Sequence, residues 1–426
     1  MLAPWQRLDA IKTFLYPALH HLMRTGTMGK TEWTRLDEAL RPLIKRTLYL
    51  PQNAANDYLY GNTKAGACGI PCAAETSDIC RVDSAFKLLT SRDSEVARLA
   101  QDDLLHIVKA RLRRDCNLPD AELYLSGHNE GEFRSPATQV QSVWTEARKA
   151  SGRLDVAWEL GPEGASITFG SQVITPRGRS KVMHSLRLQL AQQKDARLHA
   201  LPNQGKVLEC VAADPAGSHF MRTGLYTRFA DWRFIHRARL NLLPLNGTQP
   251  RRRGGNQRCR RCGHSNETLP HVINHCMRQS QAVTQRHNNV VERVKKASAG
   301  RFTLISENRP VGDTALRPDL VLVRGEEAVV VDVCIPFENR KEALVQARRI
   351  KEKYRPVVEF LRSRYQRVTV EAVVVGALGS WDPANDRFLK RLCSRSYLKK
   401  MKQLTTSDTI RASRDIYAAH IIGSTR

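Results

Sequence analysis

The 426-residue sequence contains no run of eighteen apolar residues, and its N-terminus lacks the basic stretch, apolar stretch and small-residue cleavage site of a secretory signal. These absences exclude, as a first reading, a membrane-spanning or secreted protein. Acidic residues are scarce beside basic ones. The 42 Asp and Glu against 68 Lys and Arg give a formal net charge of +26, which points to a polyanionic partner, most commonly nucleic acid. A disulfide framework is missing too. The ten cysteines are scattered over the chain, and only Cys259, Cys262 and Cys276 stand among histidines at ligand-like spacing. The others (Cys68, Cys72, Cys80, Cys116, Cys210, Cys334, Cys393) read as reduced, mostly buried thiols. No repeat of solenoid length occurs. What is present is 41% hydrophobic residues, enough for real cores, on a length that predicts roughly two to four domains.

Periodicity divides the chain into five segments. Residues 1–112 carry apolar positions at three- and four-residue spacing, as in WQRLDAIKTFLYPALHHLM and SAFKLLTSRDSEVARLAQDDLLHIVKARL, and predict a helical module. The adjacent Asp102 and Asp103 fall inside that helical period, so they read as a solvated helix face and not as a polymerase's paired aspartates. Residues 113–205 shift to Ser, Gly, Gln and Arg and predict a loosely packed connector. Residues 206–299 form a basic linker, residues 300–400 alternate strands and helices in α/β order, and residues 401–426 read as a weakly structured polar tail.

Charge concentrates between Arg228 and Cys262, where ten arginines face one acid, Asp231. Arg233, Arg237, Arg239, Arg251, Arg252, Arg253, Arg258, Arg260 and Arg261 are the candidate nucleic-acid contacts, and Tyr226, Phe229, Trp232 and Phe234 are interleaved with the first of them. Guanidinium forks beside rings suit phosphate and base contacts. Within CRRCGHSNETLPHVINHC, Cys259 and Cys262 are two residues apart, eight residues precede His271, and four more precede Cys276. Three thiolates and an imidazole make the closed tetrahedral set of a structural zinc. His264 and His275 compete with His271 for the fourth place.

A second anomaly is Asp332, an acid inside VVVDVCI, which is expensive to bury unless a cation or hydrogen bonds compensate it. Twelve residues separate it from Asp319, enough for two strands turning near Arg324 and Gly325 and bringing both carboxylates to one end of a hairpin. Paired carboxylates are hard ligands for a catalytic magnesium. Position 334, where a strand lysine could complete the site, holds Cys334, so Lys351 or Lys353 from a long helix over about residues 340–364 is expected to reach back over the sheet.

Taken in order, these motifs resemble the C-terminal part of the polyprotein of site-specific non-LTR retrotransposons of the ribosomal-DNA-inserting type. LAPWQRLDAIKTFLYPAL and WTRLDEALRPLIKRTLYLP are similar to a thumb following a reverse-transcriptase palm, DWRFIHRARLNLLPLNG to the linker before a zinc knuckle, and RPD, DV and KEKY to a restriction-like endonuclease. The resemblance implies a multidomain protein with a mainly α N-terminal half and a C-terminal α/β restriction-like (PD-(D/E)XK) nuclease with a zinc knuckle. It further implies Asp319 and Asp332 as magnesium ligands, Lys353 or Lys351 as the catalytic lysine, DNA (ribosomal DNA) and element RNA as partners, no membrane, and a nuclear site of action. In that family a palm precedes the thumb, so the polymerase part of the same polyprotein is expected upstream, and the nick primes reverse transcription. A non-catalytic zinc-knuckle module that binds nucleic acid is the competing expectation.

Overall fold

The computed structural model describes residues 2–134, 141–162, 164–248 and 256–423. The chain is mainly helical with two small sheets and divides into two compact units. One comprises Leu8–Ile44 and Gly69–Lys194, the other Met1–Arg7, Lys45–Cys68 and Asp195–Arg426.

In the first unit, helices Ala73–Leu89, Ser94–Leu112, Leu118–Leu125 and Val143–Leu154 surround an antiparallel sheet of β1 (Val156–Gly161), β2 (Gly164–Phe169) and β3 (Gln172–Ile174). Local sequence sets the helix starts. The Asp93 carboxylate accepts the N–H groups of Glu95 and Val96, and Asn117 and Asp120 form a reciprocal capping box. Asp102 and Asp103 lie on a helix as expected, and Asp103 accepts the Trp144 indole N–H at 2.7 Å. The stretch expected to pack loosely does not. Trp144, Trp158 and Ile167 join Phe86 and Leu104 in one core: Val156 and Trp158 on β1 and Ala165, Ile167 and Phe169 on β2 alternate inward, and Trp144 is buried from the helix Val143–Leu154.

The second unit is built on a mixed sheet. Strands β4 (Thr303–Glu307), β5 (Leu320–Arg324), β6 (Glu327–Cys334) and β7 (Arg367–Val374) lie in that order, antiparallel except for β7, which runs parallel to β6. The predicted hairpin forms, with Gly325 at φ +52° in its two-residue turn. β4 escaped sequence reading because it is short and half-exposed, with too little apolar content to signal a strand. Side-chain alternation splits the sheet into two cores. Leu320, Leu322, Val329, Val331 and Val333 pack on one face with the helix Ser280–Ser298. Val321, Ala328 and Val330 pack on the other with Tyr354, Val357 and Leu361 of the crossover between β6 and β7. That crossover is not the single helix expected. It runs as a helix Lys341–Arg348, a tight 3₁₀ stretch Arg349–Tyr354 and a helix Arg355–Leu361. Pro356 has no N–H to donate, so the α-helix restarts around it.

Residues after Met401 are also corrected. They belong to one 28-residue helix, Arg395–Ile422. Its inward face is largely hydroxyl-bearing, with Thr405, Thr406, Thr409 and Ser413 buried, which conceals its amphipathicity from an apolar count. Ser413 donates to the Ala377 carbonyl at 2.6 Å. Among the described residues no helix is long and apolar enough to cross a membrane.

Candidate functional site

The knuckle is a tight turn followed by one helical turn. Gly263, at φ +73°, donates to the Cys259 carbonyl, and Cys259 N–H donates to Ser265, so both thiols of the pair point to one side. A turn from His271 to His275 then presents His271 and Cys276. The donor atoms of Cys259, Cys262, His271 and Cys276 all lie within 4.8 Å of one another. The Cys259 and Cys276 sulfurs are 3.9 Å apart, and Cys262 Sγ is 3.4 Å from His271 Nε2. A tetrahedral zinc with Zn–S bonds of about 2.3 Å requires sulfurs about 3.8 Å apart, so this set could hold a metal such as zinc. His264 and His275 are exposed and outside it. A Ser265 N–H eases the Cys262 thiol towards thiolate, whereas burial pushes Cys276 up to about 11; a cation would offset that second cost.

Two residues that sequence reasoning missed stand against this cluster. His420, from the last turn of the C-terminal helix, places Nε2 3.9 Å from Cys259 Sγ and 2.8 Å from a Glu267 carboxylate oxygen. Glu267 also accepts from Arg260 Nε at 2.7 Å. The only sequence signal for His420 would have been a histidine in a helix 144 positions beyond Cys276, which no local spacing rule detects.

The basic segment is placed differently from a free cationic strip. Arg239 is buried and donates to the carbonyls of Gly217 and Leu378. Arg237 donates to the Tyr49 carbonyl, and Arg233 lies over the Tyr49 ring. Arg258 donates to the His264 carbonyl, Arg260 pairs with Glu267, and Arg261 donates to the carbonyls of His420 and Ile421. Trp232 and Phe234 are core residues, while Tyr226 and Phe229 remain exposed. Arg251, Arg252 and Arg253 lie outside the described residues. The expectation for Arg239 is therefore corrected: a guanidinium 1% exposed cannot reach a phosphate.

Asp319 and Asp332 come together. Leu320 pairs with Val331 in the β5–β6 ladder, so Asp319, the residue before β5, and Asp332 of β6 stand at the same open end of the hairpin, close enough for the charge of one to act on the other. Asp332 is buried and accepts the Tyr354 hydroxyl. Burial raises its pKa, and Asp319's charge adds to the rise, while Tyr354's hydrogen bond and Lys353's charge oppose it. Asp319 accepts the Val333 N–H at 2.6 Å and faces His287 Nε2 at 3.3 Å. Burial pulls His287 down, but hydrogen bonding and attraction to Asp319 win and raise it to about 9, so it stands as a cation beside the acid. Sequence reasoning missed His287, which comes from the helix Ser280–Ser298. Lys351 is ion-paired with Glu371 at 2.8 Å, whereas Lys353 is exposed and acts on Asp332 through its charge. Cys334 lies 3.7 Å from Asp332, and burial pushes its thiol up to about 12. A cleft of about 750 Å³, lined by Asn274, His275, His287, Cys334 and Phe337, adjoins the pair.

These features define a basic, mainly helical protein with a Cys/His cluster able to hold a metal and a mixed sheet with two carboxylates at one end of its hairpin. No known family profile matches the chain. Individual relatives do. A Pol polyprotein from the type-2 retrotransposable element R2DM of Drosophila melanogaster is 22% identical over 94% of this chain and 32% of its own length. The polyprotein from a type-1 element R2 of Nasonia vitripennis is 27% identical over 95% of this chain and 33% of its own length. That of the R2 element of Popillia japonica is 32% identical over 37% of this chain. The chain is thus similar over most of its length to R2 retrotransposon polyproteins, the resemblance its motif order implied, and it spans about a third of the length of these curated relatives.

Proposed function

We propose that the sheet-bearing unit is a metal-dependent DNA endonuclease of the restriction-like type, acting in the nucleus, whose nick supplies the 3′-hydroxyl for reverse transcription by the polymerase part of the polyprotein. The observation that carries this reading is the convergence of Asp319 and Asp332, two acids at the open end of a hairpin in a chain of charge +26. Like charges held together under partial burial are costly unless a cation relieves them, and their oxygens are hard donors suited to Mg²⁺. When bound, magnesium supplies Lewis-acid polarisation of the scissile phosphate and a water of lowered pKa. The chain's own residues would do the rest. Tyr354 orients the Asp332 carboxylate, His287 and the Val333 N–H orient Asp319, and Lys353 faces the developing phosphate charge. The exposed Arg233, Arg258 and Arg260 would hold the nucleic-acid backbone beside the knuckle, with DNA and element RNA as partners.

One observation favours the competing, non-catalytic reading: both carboxylates already have protein donors, as a structural acid pair would. Nicking of supercoiled plasmid separates the two. Asp319→Ala and Asp332→Ala are each expected to lower Mg²⁺-dependent nicking at least about a hundredfold with DNA binding retained; unchanged nicking leaves only the binding module.

A further inference from the structure

Several arginines of the basic segment are engaged within the protein, and a separate group of exposed cations gathers in one concavity of the sheet-bearing unit. A cleft of about 1090 Å³ is lined by Lys64, Arg222, Lys390, Arg395, Lys399 and Lys402 against two acids, Asp214 and Asp386. Lys402 neutralises both, at 2.7 and 2.6 Å. The remaining five cations are exposed, and among the described residues none has an acid within ion-pair distance. Arg395, Leu398, Lys399 and Lys402 fall at i, i+3, i+4 and i+7 on the first two turns of the helix Arg395–Ile422, so one face of its positive end turns towards the cleft.

We propose that this cleft grips the phosphate backbone of duplex DNA. Its charge is complementary to closely spaced phosphates. Its lining has no Phe, Tyr or Trp, and its ring, His219, is held by the Ala216 and Leu225 carbonyls. A binder of single strands needs stacking platforms for unpaired bases; a cationic cleft without them suits a duplex, whose bases are already stacked inside. The inference rests on the nucleic-acid reading given above but not on the nuclease chemistry, and it adds a second contact to the duplex at a cleft that neither Asp319 nor Asp332 lines.

The test is a salt titration of the whole chain with a fluorescent duplex, comparing wild type with Lys64→Ala/Lys390→Ala/Lys399→Ala. These side chains are exposed, so folding should be unaffected, and a matching melting curve together with rescue by the triple Lys→Arg variant checks this. The expected result is a log–log salt slope shallower by about 2.7, from three lost phosphate contacts, and roughly tenfold or more weaker binding at 0.15 M salt. Single-stranded DNA and single-stranded RNA of equal length should lose less. An unchanged duplex slope, or a loss confined to single strands, overturns the proposal. Asp332→Ala, assayed alongside for nicking, reports separately on the nuclease reading: normal nicking by Asp332→Ala with a reduced slope in the lysine variant sinks the nuclease and keeps the cleft.

Discussion

Asp332 is where folding and the proposed chemistry pull in opposite directions. Its pKa is raised by burial and by Asp319, so the folded state binds a proton more tightly than the unfolded chain. The ionised acid therefore costs stability above its folded pKa, and the cost fades as pH falls into the ordinary carboxylate range. Without metal, Asp332→Asn, which keeps an acceptor for Tyr354, should melt higher at pH 7 by roughly 1 kcal/mol of stability, with the gap closing on acidification; thermal melts at pH 7 and pH 4 check this. His236 behaves in the opposite sense. Burial, reinforced by Arg239, pushes it down to about 3, and its Nδ1 meets the Tyr58 hydroxyl at 2.6 Å. Its contribution is complete above the unfolded value near 6.5 and is lost as pH falls towards 3, at up to about 1.4 kcal/mol per pH unit. His236→Gln should flatten the acid limb of a denaturation series by that amount. Asp332 was legible in the sequence because an acid among four valines and an isoleucine violates burial on its face; His236 was not, since nothing in WRFIHRAR marks one ring as fully enclosed.

At the scale of elements, the knuckle and the C-terminal helix form one mechanical group. Arg261 holds the carbonyls of His420 and Ile421, and His420 bridges to Glu267. Removing metal with a chelator should therefore increase hydrogen exchange in residues 256–276 and in the last turn near 416–422, while β5 and β6 stay protected; exchange spreading equally through the sheet would show that the two are not separable. The hairpin turn gives a simpler expectation. A Cβ at Gly325 meets nothing within 4 Å, yet φ is +52°, so Gly325→Val should cost about 1–2 kcal/mol through backbone strain alone, measurable by urea denaturation. The four candidate ligands were readable because they sit within eighteen residues of one another. The broken crossover was not, since helical spacing from Lys341 to Leu361 continues through the 3₁₀ stretch and only Pro356 interrupts it.

For the whole molecule, a net charge of +26 is a self-repulsion that salt screens. In the absence of nucleic acid, raising NaCl from about 0.05 to about 0.5 M, where the screening length falls to a few ångströms, should raise the melting temperature, whereas the same change should weaken DNA binding steeply. A melting temperature that falls with salt would place the dominant electrostatics in the internal ion pairs instead. The compact units also cut across the linear segments: residues 1–7 and 45–68 group with residues 195–426. A window sliding along the sequence reports only local periodicity, so it divides the chain where composition changes and cannot see segments that return to an earlier partner.

The sequence by itself determined what local chemistry can determine: the excess of positive charge, the Cys-Cys-His-Cys spacing, the hairpin with an acid on each strand, and the motif order shared with R2-type polyproteins. Tertiary structure decided which of those groups are free to act. It withdrew Arg239 into the interior, paired Lys351 with Glu371 while leaving Lys353 exposed, brought His287 to Asp319 and His420 to the knuckle, and gathered lysines from distant segments into one cleft. The physical reason is common to all of them. A side chain's charge, solvation and partners depend on neighbours within a few ångströms, and those neighbours are chosen by the packing of elements far apart in the chain.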